Sequence, residues 1–224
     1  MKRERRIGIV LATIATTALC GCGGGGASTV AFSDEEAAKE ALNTARTVHF
    51  DGNVKAVNQG TDILADEQVA GYMEETGFFN TKWTVSIDGN TWFYAKFVSD
   101  EPINENTDTL VSATTYGFYD ANDTCIGYAQ EQAVKGESGD YYICYMDADG
   151  NPKDYYSNVK ATQTYDSEGN LIATGTVDFN GFFESRHCYV EITAEEGSTT
   201  QMDFVDKMAM YLYLFSDFDS EHLD

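Results

Sequence analysis

The chain has 224 residues, 42% of them apolar and 13% aromatic, and carries 14 Lys and Arg against 37 Asp and Glu, a formal charge of −23. That apolar content excludes a disordered chain, and so acidic a field repels phosphates and disfavours nucleic acid as a partner. The length and the scarcity of proline, only Pro102 and Pro152, fit one domain with its own core.

Lys2, Arg3, Arg5 and Arg6 precede an apolar run from Ile7 to Leu19, the layout of a secretory signal. The run is shorter than the about 20 residues a bilayer-spanning helix needs. It ends in Leu19-Cys20-Gly21-Cys22, which resembles the lipobox of bacterial lipoprotein precursors. That resemblance implies cleavage before Cys22, lipid attachment at Cys22, and an extracytoplasmic protein anchored to the cell membrane. Cys20 fits less well, because Leu19 is bulkier than the small residue such a peptidase accepts. Arg5-Arg6 lacks the Phe-Leu-Lys pattern of a twin-arginine signal. Without residues 1–21 the chain holds 10 Lys plus Arg against 36 Asp plus Glu, a formal charge of −26. Cationic peptides, metal ions or neutral ligands suit that charge. Residues 22–32 begin with the lipidated cysteine and Gly23 to Gly26, a flexible tether. Residues 33–224 then form a single domain.

Ser33-Asp34-Glu35-Glu36 followed by Ala37, Ala38, Ala41, Leu42 and Ala45 predicts an N-capped helix ending near Arg46. From Thr47 the period becomes two. The helix followed by "TVHFDGNVKAV" (Thr47 to Val57) resembles the opening of the lipoprotein-carrier folds, the LolA type and its LppX-like relatives. That resemblance implies a strongly curved antiparallel sheet closing over helices around an apolar cavity.

Trp83, Val85 and Ile87 alternate with Lys82, Thr84 and Ser86, and Asp88-Gly89 turns the chain into Trp92, Tyr94 and Lys96, a strong hairpin signal. Further strands are predicted at Leu110 to Tyr119, Cys125 to Val134, Tyr141 to Met146, Asp154 to Tyr165, Leu171 to Phe179 and His187 to Thr193. Lys135 to Asp140 reads as one of the turns. Thr200 and Asp203, with Met202, Val205, Met208, Ala209, Leu212 and Phe215, predict a C-terminal helix packing on the sheet, although Tyr211, Tyr213 and Phe215 also alternate as a strand would. The fold class is therefore α+β, mainly β: an antiparallel, curved meander with an N-terminal and a C-terminal helix.

"MDADGN" (Met146 to Asn151) resembles the nucleophile motif of haloacid-dehalogenase-like phosphatases, and the resemblance implies Asp147 as nucleophile and Asp149 as acid/base. Asn151 stands where that family has Thr or Val, and the preceding strand alternates instead of being a buried parallel run. Asp147, Asp149 and Asn151 also match the first ligand spacings of a calcium loop, but Pro152 and Asn158 occupy the positions of its Gly and bidentate Glu. Asp120 to Asp123, Asp147 to Asn151 and Asp166 to Asn170 all stand between strand-like runs, each opening on Asp. The stretch thus reads as one of several hairpin turns.

Cys125, Cys144 and Cys188 are an odd set with no zinc spacing and read as buried thiols, with a bridge between Cys125 and Cys144 improbable. His49, His187 and His222 form no catalytic motif; His49 is expected on the exposed side of the first strand, and His187 and Cys188 on opposite faces. Glu74, Glu75, Glu195, Glu196 and the tail from Asp217 to Asp224 read as solvated surface. No cofactor or metal site is expected. Tyr116, Tyr119, Tyr128, Tyr141, Tyr142, Tyr145, Tyr155 and Tyr156 line the strands, either as β-formers or as a stacking face for carbohydrate or peptide. The expected function is that of a non-enzymatic surface lipoprotein binding a small-molecule, glycan or protein ligand, apolar molecules included. The alternatives are an exported hydrolase using Asp147 and Asp149, and an envelope protein-interaction module.

Overall fold

A computed structural model describes residues 29–54, 60–77, 80–99, 114–133, 141–180 and 186–222. Cys22, most of the tether and the expected turn at Lys135 to Asp140 lie outside the described residues.

Helix α1 (Glu35–Thr44) starts where the sequence places it: Asp34 Oδ1 accepts from the Ala37 N–H at 2.9 Å, and Ala38 and Leu42 are its buried residues. Twelve strands follow before the last helix: β1 (Thr47–Val54), β2 (Gly60–Ala65), β3 (Gln68–Thr76), β4 (Lys82–Ile87), β5 (Asn90–Ser99), β6 (Thr115–Asp120), β7 (Cys125–Ala133), β8 (Tyr141–Met146), β9 (Pro152–Asn158), β10 (Gln163–Asp166), β11 (Leu171–Asn180) and β12 (Arg186–Ala194). Helix α2 spans Phe204–His222.

Each strand pairs antiparallel with the next, and β1 also pairs with β12, Phe50 opposite Val190 and Val48 opposite Ile192. The expected meander is therefore present but closed, a barrel of twelve strands. Two strands escaped the sequence pattern because their turn, Asp66-Glu67, adopts positive φ at both residues (44° and 71°) without a glycine to mark it. The run expected from Asp154 to Tyr165 is divided into β9 and β10. There Asn158 Oδ1 accepts from the Thr162 N–H at 2.9 Å and Ala161 takes φ 54°.

Closure explains the second helix. A ring of about eight strands is filled by its own side chains, whereas a wider one encloses additional space. Phe204, Met208, Ala209 and Met210 are each 0% exposed, so burial runs around the whole helix, as for an element inside a core. Phe204 stacks on Trp92 of β5 and Tyr211 on Phe50 of β1, with ring centroids 5.3 and 4.4 Å apart. Tyr213 meets Tyr116 of β6 edge-on, and its hydroxyl donates to Thr114 O at 2.6 Å and Ala129 O at 3.1 Å. Thr164 of β10 donates to the Met210 sulfur at 3.4 Å. Gly175 of β11 is the close-approach point: a Cβ there would lie 2.6 Å from Leu214 Cδ1 and 2.8 Å from the Ala161 carbonyl. Helix α2 thus packs on the sheet as expected, but on its inner face, within the lumen that closure creates. The space that the carrier-fold resemblance reserves for an apolar ligand holds Phe204 to Leu214.

The barrel has two distinct ends. Beside α1, where the Ala194 N–H donates to Arg46 O at 2.7 Å, β1 begins and β12 finishes; this end is proximal. Ala31, which donates to Val69 O at the start of β3 at 2.8 Å, brings the incoming chain to the same end. The turns β2–β3, β4–β5, β6–β7, β8–β9 and β10–β11 are proximal, and each contains an Asp or, for β10–β11, follows directly on Asp166. Val54, Thr76, Ser99, Ala133, Asn158 and Asn180 end their strands at the distal rim.

Candidate functional site

The Asp147 stretch is a turn. Asp147 Oδ1 accepts from the N–H groups of Asp149 and Asn151, both at 2.9 Å, and the Asn151 amide reaches Oδ2 at 3.0 Å. The same pattern closes two neighbouring hairpins, Asp120 accepting from Asn122 and Thr124, and Asp166 from Glu168 and Asn170. Gly150 and Gly169 take positive φ, and Asp123 does so at 64° without glycine. Asn151 holds the Asp147 carboxyl below the usual carboxylate range. Asp149 supplies a backbone N–H to this turn.

The lumen holds a polar seam that the sequence does not announce. Lys153 of β9 lies 2.6 Å from Asp206 and 2.7 Å from Asp203, both from the start of α2, and Tyr155 donates to Asp206 in a short hydrogen bond. Asp206 is 1% exposed. Burial, with the Asp203 carboxylate beside it, pushes its carboxyl up to about 7, against the pull of Lys153 and Tyr155. Lys207, also buried, donates to the Leu42, Asn43 and Ala45 carbonyls at 3.0, 3.0 and 3.3 Å and so closes the C-terminus of α1. Burial lowers its ammonium to about 8. Tyr145, Ser157 and Thr164 continue the chain of hydroxyls at 2.6 Å spacings. These groups satisfy one another and fix where α2 sits along the lumen.

Cys144 and Cys188 are buried and unbridged, burial pushing each thiol up to about 11, and Cys125 is free and half-buried. Cys144 and Cys188 are thus the buried thiols expected, while Cys125 departs from that expectation in being only half-buried. His49 corrects its expectation: it points outward from β1 but is 6% exposed, covered by Tyr189, which bonds its Nδ1, and with Glu191 3.6 Å away.

The tyrosines divide by strand parity. Tyr116, Tyr145 and Tyr155 point into the lumen, at 7%, 0% and 9% exposure. Tyr119, Tyr128, Tyr142 and Tyr156 face outward, and Tyr141 sits at the distal end of β8, 44% exposed. On the outer wall Tyr142, Tyr156 and Tyr165 form a row with ring centroids 5.8 and 5.9 Å apart across β8, β9 and β10. A second group lies on β4 to β6, where Tyr94 stacks on Tyr119 at 5.3 Å. Lys82 stands 3.5 Å over the Tyr94 ring and Lys96 4.4 Å over Tyr119. Tyr94 donates to Asp123 at 2.8 Å, a bond that pushes the phenol up to about 12. The outward-facing tyrosines are thus fewer than the tyrosine count, and Tyr165, Lys82 and Lys96 stand beside them, with Tyr94 at 7% exposure beneath the lysines. Among the described residues, no group of three His, Cys, Asp or Glu side chains is placed to hold a metal ion, and no helix is long and apolar enough to cross a membrane.

No protein-family model, curated protein or solved structure matches this chain.

Proposed function

We propose that the chain is a bacterial surface lipoprotein, anchored through Cys22, that binds its partner on the outside of a barrel plugged by its own C-terminal helix. The observation that carries this reading is the all-round burial of α2 from Phe204 to Leu214: the volume an apolar cargo would need is taken, and recognition falls to the outer wall. The aromatic groups on β4 to β6 and β8 to β10 are the wall's recognition elements, because rigid tyrosines give contact area at low entropic cost. The incoming chain reaches the barrel at its acidic proximal end, so the anchor holds that end toward the membrane and presents the distal half outward.

Native mass spectrometry with solvent extraction, on the chain from Ala27 onward, tests the lumen. The expected result is the bare sequence mass. A reproducible lipid-sized adduct would overturn the outer-wall reading in favour of a lumenal carrier. Anchoring is tested separately: Cys22→Ser is expected to release the protein from the membrane fraction, and its retention there would remove the lipoprotein assignment.

A further inference from the structure

We propose that Lys82 and Lys96, with Tyr94 and Tyr119 beneath them, form a binding site for an anionic polysaccharide, an inference that rests on the outer-wall reading above. The two lysines are brought together by a bulge. Counting back from the Asp88-Gly89 turn would put Lys82 opposite Ala95 and leave Lys96 on the other face. Trp92 is an extra residue in β5, the register shifts between Val85 and Ser86, and Lys82 pairs directly with Lys96 on the outer face.

Like charges placed directly opposite across two strands are destabilising. Cation–π contact with the tyrosines returns about 0.5–1 kcal/mol each at exposed sites, yet two uncharged residues would keep the wall without the repulsion. An anion shared between the ammoniums removes it. The chain has no shortage of acids for this purpose, but among the described residues none is placed for it. Lys39 pairs with Glu35, Arg46 with Glu196 and Lys153 with Asp203 and Asp206, while among the described residues neither Lys82 nor Lys96 comes within 4.0 Å of a carboxylate oxygen. Glu74, diagonal to Lys82 on β3, makes no such pair.

The site works against the overall negative charge of the chain. Acids stand near it, Asp123 bonded to the Tyr94 hydroxyl and Glu74 diagonal to Lys82, so attraction rests on the two ammoniums at contact distance, well inside the ~8 Å Debye length at physiological salt. The shape selects the ligand class. The site is a ladder on a continuous wall, suited to an extended polymer and not to enclosing a small molecule. Beside the cations lie the Tyr119 ring and Val98, 39% exposed, which give apolar contact for the C–H face of a sugar ring while its carboxylate bridges the ammoniums.

The test is retention of the chain from Ala27 onward on immobilised polygalacturonate, with amylose and poly-glutamate as neutral and peptide controls. Wild type is expected to be retained on polygalacturonate at low salt, released by high salt, and unretained on both controls. Lys82→Gln/Lys96→Gln should weaken binding about tenfold or more, equivalent to about 1.4 kcal/mol. Lys39→Gln should leave it unchanged, and Lys82→Arg/Lys96→Arg should keep it. The single variants carry the same test at smaller amplitude if the double variant melts early. Absence of wild-type retention, or equal retention of the Gln double variant, would overturn the site. Equal retention on poly-glutamate would overturn the polysaccharide and assign the lysines to an acidic polypeptide. None of these outcomes bears on the lumen, which the native mass measurement judges by itself.

Discussion

Asp206 holds its proton more tightly in the folded chain than in the unfolded one, and this makes stability depend on pH. Its carboxyl is pushed up to about 7 from 3.8 by burial. The stability that the bound proton provides is therefore complete below pH 3.8 and is lost as pH rises through about 7. Urea denaturation at about pH 4 and about pH 8 should show wild type losing on the order of 3 kcal/mol relative to Asp206→Asn over that range; parallel curves would show that the group does not titrate there. Lys153→Met should cost about 3 kcal/mol at about pH 8, where the carboxylate is left without its cation, and less at about pH 4, where the carboxyl is protonated; Lys153→Met/Asp206→Leu should recover most of the loss at the higher pH. A double variant no more stable than the single one would mean that the pair does more than neutralise itself. The sequence shows Asp147 for what it is because its partners lie within four residues. It is silent on Asp206, whose partners are 51 and 53 residues away.

At the scale of elements, local chemistry is again what the sequence reveals. The Asp34 cap, the Asp88-Gly89 hairpin and the three Asp-led turns are legible, because each rests on side chains next to the backbone they satisfy. The bulge at Trp92 is not, and with it goes the pairing of Lys82 with Lys96. Helix α2 misleads for a related reason. Its apolar residues surround the axis, which reads as a buried helix, but Tyr211, Tyr213 and Phe215 also alternate, and nothing local says what it is buried in. Gly175 is the contact that tests its seat. Gly175→Val must displace Leu214, Met210 and the Ala161 carbonyl, and should cost about 1–3 kcal/mol. Thr176→Val, next to it on the exposed face, should change stability by less than about 0.5 kcal/mol. Equal melting temperatures for the two variants would show that α2 does not press on β11.

For the molecule as a whole, the decisive contact is the strand pairing most distant in sequence: β1 meets β12 with Thr47 opposite Thr193, and no periodicity in either strand reports that the ends of the sheet join. Closure creates the lumen, the lumen takes α2, and the proposed function therefore leaves recognition to the outer wall. Closure also gives the barrel two unlike ends, and under the proposed anchoring the route of the chain decides which one would face the membrane. Nine residue steps separate Cys22 from Ala31, which is bonded to β3 at the proximal end. Fully extended they reach about 30 Å. The acidic turns at that end are repelled by anionic headgroups only within about a Debye length, ~8 Å, so under the proposed anchoring through Cys22 the proximal end would stay near the bilayer without being pressed against the lipid. A fluorophore at Asp149, on a proximal turn, should therefore be quenched by headgroup-labelled lipid more strongly than one at Val159, which is exposed at the distal rim. Raising the salt should increase the proximal quenching further as the repulsion is screened. Equal quenching at both sites would mean that the barrel lies on its side or tumbles freely. The outer tyrosines and the Lys82–Lys96 pair would then face the bilayer as often as they face outward.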